Sequence, residues 1–139
     1  MIHARTLLMA ALLLALGPGA ARADEQKPPV QAGAAVAGVP PGVVDGPTAR
    51  KLVESGVKVV DVRTPREFEE GHVPGAINIP HDEMARRARE IGPPSTPVLL
   101  YCKSGRRSDI AANTLKAKGY KVIYDMQAYD RWVASEPKR

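Results

Sequence analysis

The sequence predicts an α/β domain whose mostly parallel central sheet is flanked by helices on both faces. Three observations lead there. Short apolar, β-branched runs alternate with helical segments along most of the chain. The run Val98-Leu99-Leu100-Tyr101 is apolar without interruption, as a strand covered on both faces requires. A length of 139 residues leaves room for one domain and little more. With aromatic residues at only 4%, the expected core is Val, Leu, Ile and Ala packed in layers.

The first segment reads as a leader, not as part of that domain. His3 and Arg5 are followed by the apolar run Leu7 to Leu16, and Ala21-Arg22-Ala23 places small residues where a signal peptidase reads them. A bilayer span needs about twenty apolar residues, roughly twice this run. Residues 1–23 are therefore expected to be a signal peptide cleaved after Ala23, giving a periplasmic or secreted protein with no membrane attachment once it is removed. Residues 24–42 are rich in Pro, Gly, Ala and Val without periodicity and read as a flexible tail. The domain is expected over 43–134, and 135–139 as a C-terminal tail.

Within the domain, Pro47 suits the first turn of a helix that continues over Ala49 to Glu54 and stops at Ser55-Gly56. Val57 to Val62 reads as a strand, and Pro65 to Glu70 as a short helix stopped by Gly71. Ala76 to Ile79 is a short strand, and Asp82 to Glu90 a charged helix broken by Gly92-Pro93-Pro94. After the apolar strand comes an amphipathic helix, with Ile110, Ala111, Leu115 and Ala117 on one side and Asp109, Asn113 and Lys116 opposite. Gly119 ends it. Val122 to Tyr124 is the last strand, and Tyr129 to Val133 a closing helix.

Net charge is +5, a mild bias toward anions. No dense basic stripe with interleaved aromatics accompanies it, so nucleic acid is not an expected partner. Scattered histidines and one cysteine lack the spacing of a metal site, and no cofactor is implied. His72, in the turn Gly71 to Gly75, reads as a structural hydrogen-bonding residue, and Phe68 and Trp132 as packing anchors.

Cys102 is the only cysteine, so it cannot staple the fold. It stands at the carboxyl end of the apolar strand, where ligands bind in open α/β sheets. Lys103, Ser104, Gly105, Arg106, Arg107 and Ser108 follow, and then the amphipathic helix. A short loop leading into a helix N-terminus can aim backbone N–H groups at one point, and the helix dipole adds positive charge there. With three cations beside it, Cys102 is expected to be an accessible thiolate, competent as a nucleophile and flanked by a cradle for an anionic sulfur donor.

The stretch Tyr101 to Ser108 closely resembles the active-site loop of rhodanese-type sulfurtransferases. Asp61-Val62-Arg63-Thr64-Pro65-Arg66-Glu67-Phe68-Glu69-Glu70-Gly71-His72-Val73-Pro74-Gly75-Ala76-Ile77-Asn78-Ile79-Pro80 resembles that family's second block. Gly119-Tyr120 and Tyr129-Asp130-Arg131-Trp132 are weaker similarities. The resemblance implies a rhodanese-like fold and a persulfide on Cys102, formed without metal or organic cofactor. It also implies a six-residue loop whose amides surround the sulfur, with Arg63 near the pocket and Asp61 orienting the loops. A small anionic donor such as thiosulfate and a thiol, cyanide or protein acceptor follow as partners. One departure stands out: Gln127-Ala128 occupies the place of a usual Gly-Gly pair.

Two other readings accompany this one. The first is a non-enzymatic persulfide carrier or redox module that serves a dedicated partner. The second is a phosphatase or arsenate reductase, whose wider loop places arginine after five residues. Here that position is Ser108, which leaves the shorter, sulfur-sized loop.

Overall fold

The computed structural model describes residues 36–138. The leader expected at 1–23, its cleavage site and the first part of the 24–42 segment lie outside the described residues.

Five strands form one all-parallel sheet: β1 (Gly42–Val43), β2 (Lys58–Asp61), β3 (Ile77–Asn78), β4 (Val98–Cys102) and β5 (Ile123–Ala128). Their order is β1-β5-β4-β2-β3, so β4 is central. The helices are α1 (Gly46–Glu54), α2 (Pro65–Glu70), α3 (Met84–Arg87), α4 (Arg106–Ala117) and α5 (Tyr129–Ala134).

Strand alternation sends successive side chains of β4 to opposite layers. Leu99 and Tyr101 pack with Ala49 and Leu52 of α1 and Trp132 of α5. Val98, Leu100 and Cys102 pack with Met84 and Ala88 on one side and Ala111, Ala112 and Leu115 of α4 on the other. All five β4 residues are buried, as the unbroken apolar run anticipated.

Local signals explain the helix starts. Asp45 caps α1 by accepting the Thr48 N–H at 2.8 Å, with Pro47 in the first turn. Thr64 and Glu67 form a reciprocal capping box at the start of α2. Trp132 is buried, and Phe68 stacks on His72 with centroids 3.7 Å apart. His72 Nδ1 is 2.8 Å from the Phe68 carbonyl oxygen.

Three elements differ from the sequence reading. The expected helix over Asp82 to Glu90 is a broken series: a 3₁₀ turn His81–Glu83, the single-turn α3 and a second 3₁₀ turn Ala88–Glu90. Tyr120 Oη sits 3.0 Å from the Ala88 carbonyl oxygen, occupying an acceptor that a continued helix would have used. The last strand runs on to Ala128, past a bulge where Leu100 faces Asp125 and Tyr101 faces Gln127. The chain is also packed before Val43. Val36 is buried, and Tyr124 Oη accepts its N–H at 2.8 Å while donating to the Val39 carbonyl at 2.9 Å.

Candidate functional site

Cys102 ends β4 with its sulfur on the α4 side of the sheet. The Gly105 N–H donates to Sγ at 2.9 Å. Gly105 adopts φ +102, a left-handed conformation that turns the chain from strand to helix within three residues. The N-terminus of the 12-residue α4 follows at once, adding its dipole beneath the sulfur. Ser108 Oγ, fully buried, lies 3.6 Å from Sγ and donates to the Gly105 carbonyl at 3.0 Å.

Two expectations about this loop need correction. Cys102 is 0% exposed, not accessible. Among the described residues, one amide reaches the sulfur instead of several.

The cations divide into two kinds. Lys103 and Arg106 are exposed and form no ion pair among the described residues, so both can meet an anion at the loop. Arg107 is committed elsewhere: it grips Glu67 of α2 through two hydrogen bonds of 2.7 and 2.8 Å. Both partners are about three-quarters shielded, and Arg107 holds the Glu67 carboxyl far below the usual carboxylate range. The expected anion contact of Arg107 is therefore replaced by a brace between the two sequence blocks. Ser104 is exposed at the loop tip.

Arg63 and Asp61 are also a brace. Arg63 Nε lies 2.9 and 3.0 Å from the two Asp61 oxygens, and the guanidinium donates to the Gly71 carbonyl at 2.6 Å. Burial works against the Arg63 charge, but the Asp61 carboxylate more than offsets it, and the Arg63 pKa is raised. The guanidinium lies 4.7 Å from the Tyr129 ring centroid and 5.5 Å from that of Tyr101. That is the opposite layer from Cys102, so Arg63 steadies the turn around the site and is not a free ligand for the donor. Tyr101 Oη completes this turn by accepting the Val73 N–H at 3.0 Å.

Sequence reasoning missed Asp125. It is 8% exposed, on the same layer as Cys102, and its Oδ1 accepts the Gln127 N–H at 2.8 Å. Burial pushes the Asp125 carboxyl up, against the lowering effect of the Gln127 N–H. A lone aspartate within an apolar strand signalled it: such a residue needs buried partners.

Gln127 stands where a glycine was expected and adopts φ 69, the left-handed region. Its side chain lies over Gly105, where an added methyl would come 3.2 Å from Gln127 Cβ. Left-handed backbone costs a non-glycine residue roughly 1 kcal/mol. Gln127→Gly is expected to raise stability by about 0.5–1 kcal/mol, read as a higher urea midpoint with unchanged slope. A lower midpoint would mean that the contact with Gly105 outweighs the backbone strain.

Among the described residues, no group of three or more His, Cys, Asp and Glu side chains is placed to hold a metal. No helix among them is long and apolar enough to cross a membrane.

Comparison with known proteins agrees with this geometry. The family described as "Rhodanese-like domain" matches residues 47–135. YrkF of Bacillus subtilis (strain 168) is 36% identical over 73 residues, which are 52% of this chain and 39% of that protein. The chain spans 60% of a second B. subtilis relative that is 42% identical. The thiosulfate sulfurtransferase GlpE of Pseudomonas syringae pv. syringae (strain B728a) is 30% identical, covering 65% of this chain and 85% of that one. Among solved structures, the human single-domain sulfurtransferase TSTD1 superposes with a TM-score of 0.58 at 28% identity, covering 72% of this chain and 100% of that chain.

Proposed function

This chain belongs to the rhodanese-like domain family, and on that premise we propose that it moves a sulfane sulfur from thiosulfate, or a similar anionic donor, to a thiophilic acceptor through a Cys102 persulfide. The observation that carries this reading is the Gly105 N–H aimed at the chain's only sulfur nucleophile, at the head of α4. A hydrogen-bond donor and a helix N-terminus there favour the thiolate and any anion formed on it.

The Cys102 thiolate attacks the outer sulfur of thiosulfate. A sulfur–sulfur bond forms as the donor's own breaks, and sulfite departs with the electron pair. The acceptor (thiol, cyanide or a protein nucleophile) then attacks the outer sulfur of the persulfide and releases Cys102 as thiolate. Lys103 and Arg106 draw the donor in, while the Arg107–Glu67 and Arg63–Asp61 braces hold the surrounding turns. Because Sγ is closed off in this conformation, loading requires the groups that cover it to move aside. An exported location belongs to the same reading and rests on the leader pattern of residues 1–23.

Intact-mass measurement tests the proposal. Thiosulfate should add the mass of one sulfur, and cyanide should remove it. A protein that is alkylated at Cys102 yet never gains sulfur would overturn the reading. Loading without turnover on small acceptors would make it a carrier that serves a dedicated partner.

A further inference from the structure

Among the described residues, Gln127 is the one non-glycine residue whose φ, 69, lies in the left-handed region. A residue with a side chain keeps such a conformation only where its surroundings hold it there. Three contacts do so here. Asp125 Oδ1 accepts the Gln127 N–H at 2.8 Å. The irregular register between β4 and β5 sets Gln127 opposite Tyr101. The side chain itself lies along Gly105, where an added methyl would come 3.2 Å from Cβ, 3.5 Å from Cγ and 3.6 Å from Cδ.

The placement matters because of what Gly105 touches. Its N–H donates to Cys102 Sγ at 2.9 Å. Gly105 and Cys102 are both buried, whereas Gln127 is half-buried and so the most exposed of the three. A glycine at 127 would take the same φ without strain and keep its N–H for Asp125. The turn itself therefore does not call for a glutamine side chain.

We propose that Gln127 is a specificity-determining residue of the sulfur site: by bearing on Gly105, its side chain keeps the loop against Sγ and admits compact sulfur donors and acceptors while excluding bulky ones.

This inference rests on the reading of Cys102 as the sulfur-bearing group and deepens it. Sγ has no exposed surface at rest, so a reagent reaches it only through a local opening. A thiosulfate ion or a small unbranched thiol needs a slight displacement of Gly105. A branched or aromatic reagent needs a wider one, and Cβ, Cγ and Cδ of Gln127 lie against the segment that must move.

The test compares two neutral alkylating reagents with one reactive group, iodoacetamide and its N-pyrenyl derivative, on the full chain at a single pH. Both attack the same sulfur, so any change in its ionisation cancels from the ratio of the two rates. Gln127→Gly should raise the rate with the pyrenyl reagent about tenfold and that with iodoacetamide by no more than about twofold, since the wider opening is the one relieved. Gln127→Ala, which keeps Cβ and removes Cγ and Cδ, should fall between wild type and Gln127→Gly. An unchanged ratio in Gln127→Gly would overturn the proposal. Equal gains with both reagents would overturn it too, as the mark of a general loosening. Absence of sulfur loading by thiosulfate, with the ratio still shifting, would remove the sulfurtransferase reading and leave Gln127 as the residue that controls access to Cys102.

Discussion

Asp61→Ala is expected to cost about 3–5 kcal/mol, measured as the fall in unfolding free energy in urea. Asp61 is 0% exposed and Arg63 only 6%, so the substitution leaves a guanidinium buried without its carboxylate. It also orphans the Arg63 N–H, which Asp61 Oδ1 accepts at 2.9 Å. Domains of this size are stable by roughly 5–15 kcal/mol, so the variant should sit near the edge of folding. A double variant, Asp61→Leu with Arg63→Met, should recover much of the loss, since removing both charges removes the desolvation problem. A loss below about 1 kcal/mol in Asp61→Ala would mean that Arg63 finds water or another partner.

The largest effect on activity is expected from Cys102→Ser. The hydroxyl is isosteric enough to keep the fold, but at neutral pH it is a far poorer nucleophile than a thiolate. Sulfur transfer from thiosulfate should fall by at least ~10³-fold, and the mass gain should vanish. Because the serine oxygen can still accept the Gly105 N–H, the cost of its burial should stay at about 1–2 kcal/mol in the urea measurement. Residual transfer at a tenth of the wild-type rate would show that sulfur travels by another route.

The parts of the fold legible in the sequence are those where one local signal suffices. The unbroken run 98–101 reads as a covered strand, and Pro47 as the first turn of a helix, which the structure shows to be capped by Asp45. Cys102 was legible for the same reason: strand end, glycine and helix start follow one another within a few residues.

What could not be read depends on residues distant in the chain. Arg107 looks like a free loop cation until its partner Glu67, 40 positions away, is brought beside it. Glu67 itself reads as the third residue of a capping box, and nothing local announces that its other oxygen serves Arg107. β1 hides in a Pro- and Gly-rich stretch because its pairing comes from Tyr124 and Asp125 of β5, not from its own composition. Asp125 ends the apolar pattern of its strand early. The strand continues through the bulge, where the Asp125 carboxyl accepts the Gln127 N–H and Gln127 and Ala128 pair with Tyr101 and Cys102.

The two outermost strands, Gly42–Val43 and Ile77–Asn78, are each only two residues long. Among the described residues, neither flank exposes enough unpaired backbone for a foreign chain to dock as an added strand, the usual path to edge-to-edge aggregation. A protein acceptor is thereby denied the simplest handhold on the molecule. On the sulfurtransferase reading proposed above, recognition of such an acceptor falls to the exposed side chains of the sulfur loop, Lys103, Ser104 and Arg106.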